Sequence, residues 1–285
     1  MHTIIRSAKK EVVIGPDRPF VIIGEKINPS GRKKLTALLQ AGDYEAYIKE
    51  LAVSQVAAGA DALDVNVGTI GVEETTLLPK VARMVSETVD VPLNLDSAFR
   101  EALAATIPAI EGKPLVNSVN GEEAALNLLL PVVKDCKVAV IGLCMDDTGI
   151  PNDPEVRLSI ADKIINRAAQ IGIPVEDVVI DPLVMTVGAD DQAARNTLRT
   201  IELVRDTFGV NMCMGASNVS FGLPDRETIN KAFMAMAIRE GVTCAITDPM
   251  KLTATIRACD LLMGRDSYGG AFIKYARAAA KANAT

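Results

Sequence analysis

The sequence predicts an α/β fold of the (β/α)8 TIM-barrel class with a short N-terminal hairpin extension, and two observations carry that prediction. Eight short apolar runs punctuate the chain, separated by amphipathic stretches of helical length, so strand and helix alternate throughout. Most of the runs also end in a carboxylate or an amide: Glu25 and Asn28 close FVIIGEKIN, Asp64 and Asn66 lie in DALDVNV, Asp96 closes PLNLD, Asn117 closes PLVN, Asp181 closes VVID and Asn218 closes MCMGASN. Parallel strands of a closed barrel all point one way. Tips of this kind therefore converge on the C-terminal mouth, where such barrels place their chemistry.

Taken in order, EVVI and FVII flank the turn-forming GPDRP, so residues 11 to 24 are expected to form a hairpin that runs into the first barrel strand and plugs the lower end. Barrel strand one is Val21–Gly24, and a helical region from Arg32 to Ala58 breaks around Ala41–Asp43. Strand two is Ala62–Val65 with a helix near Val72–Val89, strand three Pro92–Leu95 with Phe99–Ala109, and strand four Leu115–Val116 with Glu122–Lys134. Asn120 is expected to cap that fourth helix, with Glu123 reaching back as a capping box. Strand five is Val138–Gly142, after which Asp153-Pro154 supplies an N-cap and a first-turn proline for a helix running to Ile171. Strand six is Val178–Ile180 with Asp190–Phe208, strand seven Asn211–Gly215 with Asp225–Glu240, and strand eight Cys244–Ile246 with Met250–Met263. A terminal helix over Gly270–Lys281 precedes ANAT, which is expected to fray. With no low-complexity linker, the chain reads as one domain: an extension over 1–20, a barrel over 21–265 and a C-terminal helical segment over 266–285. The longest strand-to-helix connections, Leu143–Asn152, Pro182–Ala189 and Ala216–Pro224, are the expected specificity loops.

Composition narrows the chemistry. The 285 residues are 49% hydrophobic but only 4% aromatic, so Val, Ile, Leu, Ala and Met must build the core, which suits strands buried on both faces. A net charge of −6 argues against a nucleic-acid partner, which would need a basic surface. The N-terminal stretch lacks a signal-peptide core, and no later run approaches the ~20 apolar residues of a membrane span. A cytoplasmic location follows as the expectation. Five dispersed cysteines without a CxxC pair read as reduced, buried small hydrophobes. The single histidine, His2, falls in a terminus expected to fray, so triads and His-ligated metal sites are set aside and no protein-bound metal is expected. The chemistry is left to carboxylates, amides, Lys and Arg.

Asp64, Asn66, Asp96, Asn117, Asp181 and Asn218 form an inventory without a cation. Such a mixture suits a flat heterocycle bearing ring N–H and carbonyl groups, of which a pterin is one, because carboxylates accept from N–H donors while amides do both. Each acid taken singly could equally cap a helix or bind a loop. Delivery of the same kind of group by five separate strands favours a site.

GEKIN (Gly24–Asn28), ALDVNVG (Ala62–Gly68), LNLDS (Leu93–Ser97), VNSVN (Val116–Asn120), TGIP (Thr148–Pro151), VIDPL (Val179–Leu183) and GASNVSFG (Gly215–Gly222) resemble, in order from about Val21 to Lys274, the methyltetrahydrofolate:corrinoid methyltransferases. These belong to a pterin-binding barrel superfamily that includes dihydropteroate synthase and the folate domain of cobalamin-dependent methionine synthase. The resemblance implies that Asp96, Asn117 and Asp181 bind the pterin ring, that Asn218 contacts the reactive nitrogen N5, and that Asp64 and Asn66 support the network. It places Gly215, Ser217 and Arg226 around the Asn218 loop, with Arg226 either touching the glutamate tail or fixing the loop. The substrate implied is tetrahydrofolate or 5-methyltetrahydrofolate. The other partner is a corrinoid (cobalamin) on a separate protein docking over the barrel mouth, since the chain lacks an Asp-x-His-x-x-Gly motif. A homodimer is implied as well. Phe221 stands where some members carry an amide residue and methionine synthase an aromatic. In the implied catalysis Asn218, with Asp96 and Asp181 polarising the network, assists N5.

Three alternatives stay open. A dihydropteroate synthase-like enzyme would need a basic Lys and an Arg-x-His tip, whereas strand eight ends ITDP (Ile246–Pro249). A Schiff-base aldolase would use Lys26 or Lys251 in an apolar pocket. A non-catalytic pterin-binding module is the third. The Met-rich FMAMAI (Phe233–Ile238) has the spacing of ordinary helix packing.

Overall fold

The computed structural model describes residues 1–282. Eight parallel strands form one sheet: β3 (Val21–Ile27), β4 (Ala62–Val65), β5 (Leu93–Asp96), β6 (Leu115–Asn120), β7 (Ala139–Leu143), β8 (Val178–Asp181), β9 (Cys213–Gly215) and β10 (Cys244–Thr247). They pair in sequence from β3 to β8, while β10 lies between β3 and β9. An isolated parallel bridge, Ile180 to Met212, joins β8 to β9 and closes the circle into a barrel. The expectation of a TIM barrel is met.

The strands are short and largely buried on both faces, completely so in β4 and β8, because helices cover the outside and neighbouring side chains fill the inside. The helices carry the matching stripes. In α3 (Glu74–Thr88), Leu78, Val81, Ala82 and Val85 face the barrel at helical spacing. In α6 (Pro154–Gln170) the expected cap forms, with Asp153 Oδ1 accepting the Glu155 N–H at 2.9 Å and Pro154 at the first turn. The helical region after β3 does break where expected, into α1 (Lys33–Ala41) and α2 (Glu45–Ala57), because Gly42 takes a left-handed φ of 81° that ends the first helix. Within α8 (Arg226–Glu240), Phe233, Met234, Ala237 and Ile238 are buried and Met236 is exposed, the ordinary packing anticipated for the Met-rich segment. The remaining helices are α4 (Arg100–Thr106), α5 (Glu123–Cys136), α7 (Ala193–Phe208), α9 (Pro249–Leu262) and α10 (Gly270–Ala282). The expected fraying of the ANAT end lies, from Asn283 on, outside the described residues.

Local expectations for one turn and one helix cap are corrected. The N-terminal hairpin is not built around GPDRP: β1 (Thr3–Arg6) pairs antiparallel with β2 (Glu11–Ile14), and GPDRP merely links β2 to β3. Ser7 makes the actual turn, its Oγ accepting the Lys9 and Lys10 backbone N–H groups. Nor does Asn120 cap a helix. It ends β6, its Oδ1 accepting the Glu122 N–H at 3.0 Å, while Glu123 turns outward to Lys163 and Arg167.

The hairpin does plug the lower end. Ile5, Val12 and Ile14 join a buried cluster with Val21, Ala62, Leu115, Ala139, Val179, Cys213 and Cys244 from inside the barrel. Asn211 Nδ2 pins the plug through Thr3 Oγ1 at 2.9 Å and the Ile14 carbonyl at 3.1 Å. His2, expected in a frayed terminus, instead hydrogen-bonds Asp17 beside this plug. Among the described residues no helix is long and apolar enough to cross a membrane.

Candidate active site

The first barrel strand bends as it reaches the mouth. Pairing of β3 with β4 slips between Gly24 and Ile27, and this irregularity carries Glu25 and Lys26. Gly24 cannot be replaced without a shift, because a Cβ there would stand 2.6 Å from Gln55 Oε1, the atom that accepts the Lys26 backbone N–H at 2.7 Å.

Next in order, β4 and β5 deliver Asp64 and Asp96. Asp64 is buried, and Asn94 Nδ2 donates to its Oδ1 at 2.7 Å. Asp96 Oδ2 accepts from Asn66 Nδ2 at 2.9 Å and from Asn28 Nδ2 at 3.5 Å. Asn66 is also a turn residue, its Oδ1 taking the Gly68 N–H at 2.7 Å. Burial pushes both carboxyls toward the protonated form: Asp64 rises well above the ordinary carboxylate range, helped by repulsion from Asp96, and Asp96 rises to about 6 against the pull of the Asn66 amide.

Across the mouth, β8 ends at the buried Asp181, whose Oδ1 accepts the Leu183 N–H at 2.7 Å. Burial raises this carboxyl to about 7, in spite of that N–H and of the nearby Arg157 guanidinium. Asn117 is the register partner of Asp96 on one side and of Ile141 on the other, where the β6–β7 pairing slips before Val119.

A short helical turn over Ala216–Ser220 follows β9 and carries Ser217 and Asn218. Arg226 fixes it, Nη2 donating to the Ser217 carbonyl at 2.7 Å and Nε to Ser220 Oγ at 3.0 Å. Ser217 Oγ donates in turn to Glu25 Oε2 at 3.2 Å, and burial raises the Glu25 carboxyl above its usual value. At Gly215 a Cβ would come within 3.2 Å of Asn218 Nδ2, so the missing side chain leaves room for that amide.

A cavity of about 600 Å³ opens here. Of the residues singled out in the sequence, Asp64, Asp96, Gly215, Ser217, Asn218 and Arg226 line it. Asn66 stands behind Asp96, while Asn117 and Asp181 sit on the β6–β8 side of the mouth and do not line it.

The family model for pterin-binding enzymes matches residues 24–248, from within β3 to just past the end of β10. The chain belongs to the pterin-binding enzyme family. A methylcorrinoid:tetrahydrofolate methyltransferase of Eubacterium limosum is 32% identical over 252 residues, covering 87% of this chain and 92% of the relative. Methionine synthase of Mycobacterium tuberculosis is 26% identical over 261 residues, 87% of this chain but 22% of that much longer protein. Among solved structures, a Yersinia pestis dihydropteroate synthase superposes with a TM-score of 0.68 at 17% identity, over 93% of this chain and 99% of the other. That likeness is one of fold.

Within this pterin-binding barrel, the structure adds mouth residues that the sequence reading left out of its site. Glu25 and Asn28 line the cavity, as do Thr247 and Asp248 at the end of β10. The signal for Glu25 was present, since it closes the first strand as the other acids close theirs. Lys26 is ion-paired with Asp248, the reverse of the apolar surroundings a Schiff-base lysine needs, and Lys251 is exposed at the rim. Among the described residues no group of three or more His, Cys, Asp or Glu has the arrangement of a metal site.

Proposed function

We propose that this methyltransferase moves a methyl group between N5 of tetrahydrofolate and the cobalt of a corrinoid carried on a separate protein that docks over the barrel mouth. The observation that carries the reading is a pair of neighbouring acids, the buried Asp64 and the half-buried Asp96, bonded to amides alone at the edge of a cavity of ligand size. Carboxyls short of donors fit a ring edge rich in N–H groups, which would restore their ionised form. The E. limosum relative, matched along nearly its whole length, supports the same assignment. A cytoplasmic homodimer belongs to this reading too.

The corrinoid supplies a nucleophilic cobalt, and the chain handles the folate. Asp96 at the cavity and Asn117 and Asp181 from the β6–β8 side of the mouth hold the ring between them, with Asp64 and Asn66 bracing Asp96, and the methyl group faces out of the mouth. Loss of methyl from N5 leaves a poor anionic amide unless that nitrogen is hydrogen-bonded or protonated. Asn218 donates to N5, while Arg226 and Gly215 keep its turn in place. An amide is no proton source, so the proton comes from solvent or from a mouth carboxyl outside the ring grip such as Glu25, poised upward by burial. In the opposite direction the same groups accept it. Asn218→Ala is expected to lower kcat/KM at least about tenfold with binding of 5-methyltetrahydrofolate retained, within the usual range for losing acid–base assistance. Unchanged turnover removes Asn218 from the reaction.

A further inference from the structure

Arg157 is among the largest fully buried side chains of the protein, and nothing in the mechanism above uses it. It stands on α6, outside the barrel, yet its guanidinium reaches beneath two mouth loops. Nε donates to the Pro151 carbonyl at 2.7 Å, and Nη1 donates to the carbonyls of Pro182 at 2.9 Å and Leu183 at 2.8 Å. Among the described residues it makes no salt bridge. A buried cation bonded only to neutral carbonyls is expensive to maintain, so its placement calls for a reason.

The reason lies two residues past Asp181. Leu183 has a φ of 62°, in the left-handed region that a leucine seldom enters. Its carbonyl is clamped by Arg157 and shares the Thr197 hydroxyl, 3.0 Å away, with the Ala193 carbonyl, and in that conformation its N–H meets Asp181 Oδ1 at 2.7 Å. Relaxing Leu183 to an ordinary φ would turn that N–H away.

We propose that Arg157 is a positioning residue for Asp181: by clamping the Leu183 carbonyl it aims the Leu183 N–H at one carboxylate oxygen and leaves the other for the substrate ring. The inference rests on the reading that Asp181 grips that ring. The guanidinium acts in a second way, since its charge favours the ionised carboxylate that accepts from a pterin N–H. The other titratable groups facing Asp181 are Cys144, beyond β7, and Cys213 in β9. Both stay neutral thiols, Cys144 because it is buried and Cys213 because it hydrogen-bonds Cys244 and is buried.

The test measures 5-methyltetrahydrofolate binding calorimetrically between about pH 5.5 and 9. Arg157→Met is expected to weaken binding at least about tenfold near pH 6.5 and to move the midpoint of its pH dependence upward by roughly one unit, tenfold in proton affinity per unit. Arg157→Lys, which keeps the charge, should hold the midpoint in place. Thr197→Val, which loosens the clamp without touching the charge, should weaken binding by a similar factor at every pH. Placed in an Asp181→Asn background, Arg157→Met should add almost nothing. Unchanged affinity in Arg157→Met at every pH, or full additivity with Asp181→Asn, overturns the proposal while leaving the ring site standing. Intact binding in Asp181→Asn alone removes the ring-site reading and this inference with it. Should Arg157→Met fail to fold, unchanged affinity in Thr197→Val overturns it.

Discussion

Replacing Asp181 by Asn is expected to stabilise the free protein at neutral and alkaline pH. In the fold this carboxyl titrates near 7, whereas its ordinary value is 3.8. Between those values the native state holds a proton that the unfolded chain has released, so the stability contributed by Asp181 falls as pH rises through that window and levels off above it. A tenfold change in proton affinity is worth about 1.4 kcal/mol, which puts the cost of keeping the buried carboxylate ionised at about 4 kcal/mol. Asn keeps an oxygen for the Leu183 N–H but must bury its own amide, so a net gain of about 2–4 kcal/mol is the expectation at pH 8. At about 2–4 °C per kcal/mol for a chain of this size, thermal unfolding should move up by roughly 5–10 °C at pH 8 and by far less at pH 4.5, where only about 1 kcal/mol of the ionisation cost is present to set against the buried amide. Scanning calorimetry of both proteins over that range is the assay. A stability difference that does not change with pH, or a variant less stable at pH 8 than at pH 4.5 relative to its parent, would falsify the assignment of an uncompensated buried carboxyl. The same substitution should weaken folate binding, so the site is held at the expense of stability.

Asp96→Ala strands the Asn66 and Asn28 amides that now donate to it, and should weaken folate binding by about 2–3 kcal/mol in a calorimetric titration; unaltered affinity would exclude Asp96 from ring recognition. Ile14→Ala, in the plug, should cost about 2–5 kcal/mol in denaturant unfolding, because Ile14 is fully buried against the barrel interior. Phe221 is 67% exposed at the cavity rim, so Phe221→Ser should raise KM for the corrinoid protein several-fold while sparing turnover with free cobalamin. Equal effects on both acceptors would remove Phe221 from the docking surface.

The strands and their tips were legible because the signal is local: a short Val, Ile and Leu run, then an acid or amide, then a helical stripe. The hairpin was legible in kind but not in place. GPDRP is the stronger turn signal on paper, yet the turn is made by the Ser7 hydroxyl folding back on Lys9 and Lys10, with Arg6 and Lys113 exchanging backbone hydrogen bonds to hold the strand. Helix boundaries drifted where a side chain builds a turn first. Asp190, expected to open a helix, takes the Gln192 N–H, and α7 begins at Ala193. Asn120 failed as a cap because the slip in β6–β7 pairing carries that strand on to Asn120 itself. Arg157 could not be read at all. Its partners are carbonyls of residues that are 6, 25 and 26 positions away, and no sequence pattern announces a backbone acceptor.

The plugged floor leaves the barrel a blind cup. Small molecules can enter and leave only past the lip, and on the proposed function a large acceptor must sit across that lip during reaction. Folate then has to arrive before the acceptor docks and can depart only after it lifts away. Turnover is thereby forced into a strict queue by a filled barrel core that a short hairpin seals from below.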